Sequence, residues 1–373
     1  MTGRAASGAA GGSKLLGLEI IRFICAMTVI IWHFHHFAKI GDGSAMAGLE
    51  QPFEAILFPV YDYGYYSVQI FWAISGFIFY WKYADALAAR TIDPKRFFWL
   101  RFSRLYPLHF VTLMTVAALQ PIYSHYSGHW FQFGGGLVDF TLQLALADQW
   151  PGSRAYSFNG PIWSVSTEVL VYVAFFLLLR TFGKSPWIIV GAILASLASM
   201  WSDATSPAVI CAGYFFGGGA AAQFLARDEK RNQRQRGRSI AWACLALTAA
   251  TPLIIDLGAV STRFATWLMF ACPPILYLAA QDFRLLDRWQ SAIQAAGNLT
   301  YSTYLTHFPM QLAVAIVALA CGVKLPVGEA WFLLAYLAAS LVIGRIVFVR
   351  FEGPVQDMIR QATLTPKRER AAV

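Results

Sequence analysis

Apolar stretches of about 18 residues or more recur along the whole of this chain, and each is long enough for a helix to cross a hydrocarbon layer. Such a chain has few folds open to it. Inside a bilayer every backbone polar group has to be satisfied within the protein, and separate long apolar runs achieve that as α-helices. Apolar residues make up 57% of the 373 residues and charged ones 13%, with a mean hydropathy of +0.51, far from the globular averages. The expected fold is all-α, a polytopic transmembrane helical bundle. Candidate helices cover residues 15–37, 64–81, 105–122, 161–179, 186–201, 206–225, 239–255, 262–280, 299–321 and 330–349.

Charge placement orients these spans. Lys and Arg concentrate in Lys82–Arg104, Arg180–Lys184, Arg227–Arg238, Arg284–Arg288 and the region after Arg350, whereas the intervening segments hold almost none. By the positive-inside rule the basic segments face the cytoplasm. Segment 123–160 then lies outside and 227–238 inside, so an odd number of helices joins them. The helices starting at 161, 186 and 206 fill that requirement, which makes the short apolar piece 137–147 re-entrant or interfacial. About ten spans result, with both termini cytoplasmic. The net charge of +9 follows from this topology and calls for no nucleic-acid partner.

Residues 1–14, rich in Gly, Ala and Ser, read as a disordered cytoplasmic tail, 15–351 as the transmembrane domain, and 352–373 as a basic cytoplasmic tail. The first helix carries Glu19 and Arg22 and lacks a small-residue cleavage site, so it reads as retained and not as a signal peptide. The five cysteines fall in apolar segments without C-x-x-C spacing, which excludes a zinc site and a disulfide framework from the expectations. No metal and no tightly bound cofactor is expected.

Arg22 and His33 stand out because ionisable residues inside a span are costly and mark functional sites by default. Eleven steps at 100° return to within about 20° of the same helix face, roughly 16 Å along the axis. The two side chains are therefore expected to look into one cavity from different depths. Neutral imidazole has the basicity to activate a hydroxyl, which makes His33 a candidate general base. Glu19, three residues before Arg22, is placed to neutralise it. Glu168, in the outer half of its helix, is placed to orient the His33 imidazole, with a bond to Tyr172 as the structural alternative.

Five local patterns occur in order: Leu18–Arg22 running into Trp32-His33, then Phe71–Phe77, Arg101–Pro107, Trp163–Glu168 with Tyr172, and Tyr301–Pro309. Together they resemble the acyltransferase 3 family of integral-membrane acyltransferases, over about residues 14–350. The resemblance implies transfer of an acyl group, acetyl by default, from acyl-CoA to a hydroxyl. The acceptor it implies is a saccharide or lipid-linked saccharide, with a macrolide-type small molecule as the alternative. It also implies residence in the cytoplasmic (inner) membrane of a bacterium, among membrane lipids. Residue by residue, it implies a catalytic pair in Arg22 and His33, an acid at Glu168, and acyl-CoA phosphate contacts at Arg101 and Arg104. His307 becomes a contact of the thioester arm, while Lys95 and Arg96 rank lower.

Trp130, Trp150, Tyr156 and Trp163 gather around 123–160 and suit either a sugar face or an interface belt. A secondary transporter is the competing reading: intramembrane charges and Gly217-Gly218-Gly219 suit broken helices. Against it, no two halves of the chain show matching interrupted segments.

Overall fold

The computed structural model describes residues 15–40, 50–150, 156–202, 205–254, 260–281 and 284–364. The two chain ends expected as tails, 1–14 and 365–373, lie outside the described residues. In chain order the helices are α1 (Leu16–His33), α2 (Glu54–Tyr63), α3 (Ser67–Ala88), α4 (Pro94–Ser127), α5 (Leu137–Leu144), α6 (Ile162–Phe182) and α7 (Pro186–Met200). They continue with α8 (Pro207–Arg231), α9 (Arg234–Ile254), α10 (Val260–Ala279), α11 (Gln290–Ala320), α12 (Ala330–Val347) and α13 (Gly353–Leu364). No strand occurs among the described residues.

A helix stands at each of the ten expected places. Among the described residues, six helical stretches are long and apolar enough to cross a membrane: Leu16–Lys39, Pro94–Ser127, Ile162–Phe182, Pro207–Arg231, Leu285–Ala320 and Ala330–Leu364. The other four helices fall short for visible reasons. α3 is crowded with Trp, Tyr and polar residues, α7 has 15 residues, and α9 and α10 carry Arg in their opening turns. Large apolar side chains face outward along the bundle, Trp187, Leu194, Trp242 and Leu247 among them, as lipid contact requires.

Two boundaries differ from the sequence reading in a way that matters for the site. α4 begins at Pro94, not near 105, because Asp93 caps it: its carboxylate accepts the Arg96 amide at 2.5 Å, and proline suits the first turn. Arg101 and Arg104 therefore stand on a rigid helix. The segment read as a tail from 352 instead forms α13, packed on α4 and joined to α12 by a π-helical turn, Phe348–Glu352. α5 has eight residues, about 12 Å of helix against the roughly 30 Å of a hydrocarbon core, so it does not cross. It is tied in place by His109 Nε2, which donates to the Gln143 carbonyl at 2.8 Å, and by Gln143 Nε2 donating to the Ser157 carbonyl at 2.8 Å.

Asp148, just after α5, is buried, and burial pushes its carboxyl above the ordinary carboxylate range. A carboxyl that resists ionisation in the fold favours folding while it is neutral. That contribution is full below the unfolded value near 3.8 and is lost as pH rises through the higher folded value. Asp148→Asn is expected to raise the midpoint of thermal unfolding at pH 7 and to leave it unchanged near pH 3.5. A variant less stable than wild type at pH 7 would show that the carboxylate is stabilised where it sits.

Candidate active site

α1, α3, α4, α6, α11 and α13 enclose a cavity of about 440 Å³, within the range of small-molecule sites. One stripe of α3 forms its floor: Val68, Phe71, Trp72, Ser75, Ile78, Phe79 and Lys82 recur at helical spacing over roughly 21 Å. The cavity is graded along that length. At the Lys82 end stand five cations, Arg22, Lys82, Arg101, Arg104 and Arg360, against the carboxylates of Glu19 and Glu168 in the whole lining. At the Val68 end the walls are Phe71, Trp72, Ser164 and Tyr304, with no charge.

The ion pair of Arg22 with Glu19 expected from their spacing forms at 2.9 Å, and Arg22 Nη2 also donates to Thr300 Oγ1 at 3.3 Å. Close approach makes room for it, since a Cβ on Gly297 of α11 would collide with the Glu19 carboxylate. Arg101 donates to the Tyr83 hydroxyl at 2.9 Å and lies 4.7 Å over the Phe79 ring. Arg104 pairs with Glu352 at 2.7 Å, and the same carboxylate accepts from Ser302. Lys95 and Arg96 are exposed and take no part in the lining.

His33 is not where its spacing from Arg22 suggested. Both residues do face α11, Arg22 meeting Thr300 and His33 meeting His307, but the cavity stops between them. Thr300, Tyr304 and His307 form one face of α11 at i, i+4 and i+7, and Tyr304 closes the gap. Its hydroxyl is fixed to the Pro161 carbonyl at 2.9 Å and Ser164 Oγ at 2.8 Å, and its ring lies 5.9 Å from that of His307. The shared helix face was thus read correctly and the shared cavity was not. A helical repeat fixes direction but says nothing of what a neighbouring helix inserts.

Beyond Tyr304 lies a buried histidine cluster. The His33 ring is 4.8 Å from His307 and 4.9 Å from His36, centre to centre. His33 Nδ1 donates to the Val29 carbonyl at 2.8 Å, which leaves the Nε2 lone pair as the basic atom. The expectation that Glu168 orients this imidazole is therefore corrected. The orienting partner is a backbone carbonyl, while Glu168 lines the cavity beside Ser75 and Tyr172, themselves 3.0 Å apart. His307 is fully buried, its ring turned toward the carbonyls of Thr303 and Tyr304 without a hydrogen bond of ordinary geometry to either nitrogen. Pro309, two residues on, lacks the amide that would pair with the Leu305 carbonyl, which loosens α11 beside the cluster.

These contacts already suit an enzyme better than a transporter, and the comparison with known families decides it. The family model described as an acyltransferase domain, acyltransferase 3, matches residues 15–349. The chain belongs to the acyltransferase 3 family. This acyltransferase is also 27% identical over 182 residues to Acyltransferase MdmB of Streptomyces mycarofaciens, a match covering 46% of this chain and 41% of that protein. No solved structure matches it. The chain thus spans well under half of that relative's length; membership supports an acyltransferase domain in a chain with membrane-length apolar helices and gives the transporter reading no support.

Sequence reasoning missed Lys82, Glu352, Gln356 and Arg360. Glu352 carried a usable signal, an acid closing an apolar run and so in need of a partner. So did α13, with Pro354 in its first turn and Val355, Met358 and Ile359 at helical spacing. Lys82 looked like an ordinary flanking charge. Among the aromatics, Trp163 is no sugar platform: it is buried, stacked on Tyr65 at 5.6 Å and edge-on to Trp72.

Proposed function

We propose that this acyltransferase takes an acyl group, acetyl by default, from acyl-CoA and delivers it to a hydroxyl of a saccharide or similar acceptor. The observation that carries the reading is the charge gradient of the cavity, cationic at the Lys82 end and uncharged at Tyr304, with the His33–His307 pair directly behind that ring. A donor with phosphates at one end and a slender uncharged thioester arm at the other matches such a gradient. Charge-assisted hydrogen bonds from Arg101 would hold the phosphates. The positive-inside rule puts that end at the cytoplasm, where acyl-CoA is found.

The acyl end then reaches the histidine pair once the Tyr304 ring swings aside. His33 Nε2 accepts the proton of the acceptor hydroxyl as its oxygen attacks the thioester carbonyl carbon. The carbon–sulfur bond breaks, and the departing CoA thiolate takes the proton back from the imidazolium. Ester and free CoA thiol leave, and the base is restored. Glu168 stands midway along the arm's path, and its role falls on turnover more than on phosphate binding.

The test is donor affinity and acyl transfer by the purified protein. Arg101→Ala is expected to weaken acyl-CoA binding about tenfold, whereas Glu168→Gln keeps the affinity and lowers turnover. The opposite pattern would reverse the donor's direction in the cavity. Mass spectrometry of cellular glycans and small molecules with and without the gene, looking for a lost acyl group, identifies the acceptor.

A further inference from the structure

The family match ends at residue 349, yet α13, which begins at Gly353, places Gln356 and Arg360 in the wall of the cavity. Its position is built, not incidental. The π-helical turn Phe348–Glu352 joins it to α12 within one helical stretch, Ala330–Leu364, and such turns frequently mark functional sites. Glu352, buried at the end of that turn, is held by Arg104 at 2.7 Å and by Ser302 of the Tyr301–Pro309 motif. Farther along α13, Arg360 Nε donates to Ser103 Oγ of α4 at 3.3 Å.

The cations of the cavity divide into two kinds. Arg22 and Arg104 have carboxylate partners, Glu19 and Glu352, at 2.9 and 2.7 Å. Lys82, Arg101 and Arg360 have none within ion-pair distance among the described residues; Glu19, Glu168 and Asp357 act on Lys82, Arg101 and Arg360 respectively only from farther away. These three are close enough to repel one another, and all line the same end of the cavity. Three like charges converging in a partly desolvated space are unfavourable unless an anion joins them. Arginine forks and a lysine point charge together suit a ligand bearing more than one phosphate group.

We infer that Lys82, Arg101 and Arg360 form the phosphate cradle of the donor site, and that Arg104 serves instead to tether α13 through Glu352. The inference rests on the acyl-CoA reading above and adds to it a helix outside the family match. α13 thereby becomes part of the enzyme's binding machinery, and its loss removes one side of the cradle.

The experiment measures CoA and pantetheine binding to the full chain in phosphatidylcholine nanodiscs, for wild type, Arg360→Ala, Arg360→Lys, Lys82→Gln and Arg101→Ala. Arg360→Ala and Lys82→Gln are each expected to weaken CoA about tenfold, with Arg360→Lys in between. Pantetheine, which has no phosphate, should shift by less than twofold in all four. Two different single-residue variants keep the test decisive should one of them fail to fold. Wild-type affinity for CoA in both Arg360→Ala and Lys82→Gln, with Arg101→Ala weakened, overturns the cradle and leaves the donor reading standing. Absence of CoA binding to wild type overturns both. If phosphatidylglycerol in the nanodisc displaces CoA from wild type but not from Arg360→Ala, the cradle belongs to a lipid headgroup and the donor assignment falls.

Discussion

His33→Ala protein should fold, insert and bind acyl-CoA as the wild type does, yet transfer acyl groups two to four orders of magnitude more slowly, the usual contribution of a positioned general base. The expectation has a specific geometry behind it. Val29 accepts from Nδ1 and so directs the Nε2 lone pair away from the helix backbone, toward the cluster containing His307. His36 is fixed in the same way, its Nδ1 donating to Gln311 Oε1 at 3.1 Å, and Gln311 in turn donates to the His33 carbonyl at 2.8 Å. Donor binding should survive because His33 is separated from the cavity by Tyr304. The measurement pairs steady-state turnover with CoA affinity in a variant shown by size-exclusion and thermal unfolding to be intact. Turnover within tenfold of wild type would remove His33 from the proton transfer and shift attention to His307.

The second large effect concerns Gly218. Gly218→Leu should abolish accumulation of folded protein in the membrane or cost roughly 3 kcal/mol or more, because overpacking cannot be relieved where the clash is with backbone. A Cβ on Gly218 of α8 would run into the Ala73 carbonyl of α3, and one on Gly76 of α3 would run into the Phe215 carbonyl of α8. The two helices thus touch backbone to backbone at two reciprocal points and form the most extensively packed pair in the bundle. Small residues at helix contacts permit this closeness in a membrane, where lipid supplies no hydrophobic drive for helices to associate. The effect should reach the site too, since the opposite stripe of α3 is the cavity floor. Gly217 is the internal control: a Cβ there meets only Pro273 at 3.6 Å, so Gly217→Ala should be tolerated. Equal expression and unfolding midpoints for Gly218→Leu and wild type would refute the close-packing account. The glycine run that suited a broken transporter helix is, on this view, a packing surface within the continuous helix Pro207–Arg231.

Much of this protein was legible before any coordinates. Apolar run length determined ten helix positions, and the shortness of 137–147 determined that α5 does not cross, because both depend only on local length against bilayer thickness. The spacing of Glu19 and Arg22 determined their ion pair, and that of Arg22 and His33 their common orientation toward α11, because helical periodicity is a local property. Five ordered motifs carried the family. What the tertiary structure alone decided involves partners distant in sequence. Tyr304, on another helix, separates Arg22 from His33. A carbonyl one turn back, not Glu168, orients the imidazole. Glu352 and Arg360, from the segment read as a tail, return across 248 and 257 residues of chain to meet Arg104 and Ser103, and Arg360 enters the cavity. Periodicity tells which way a side chain points; only the packing of helices fixes what stands in front of it.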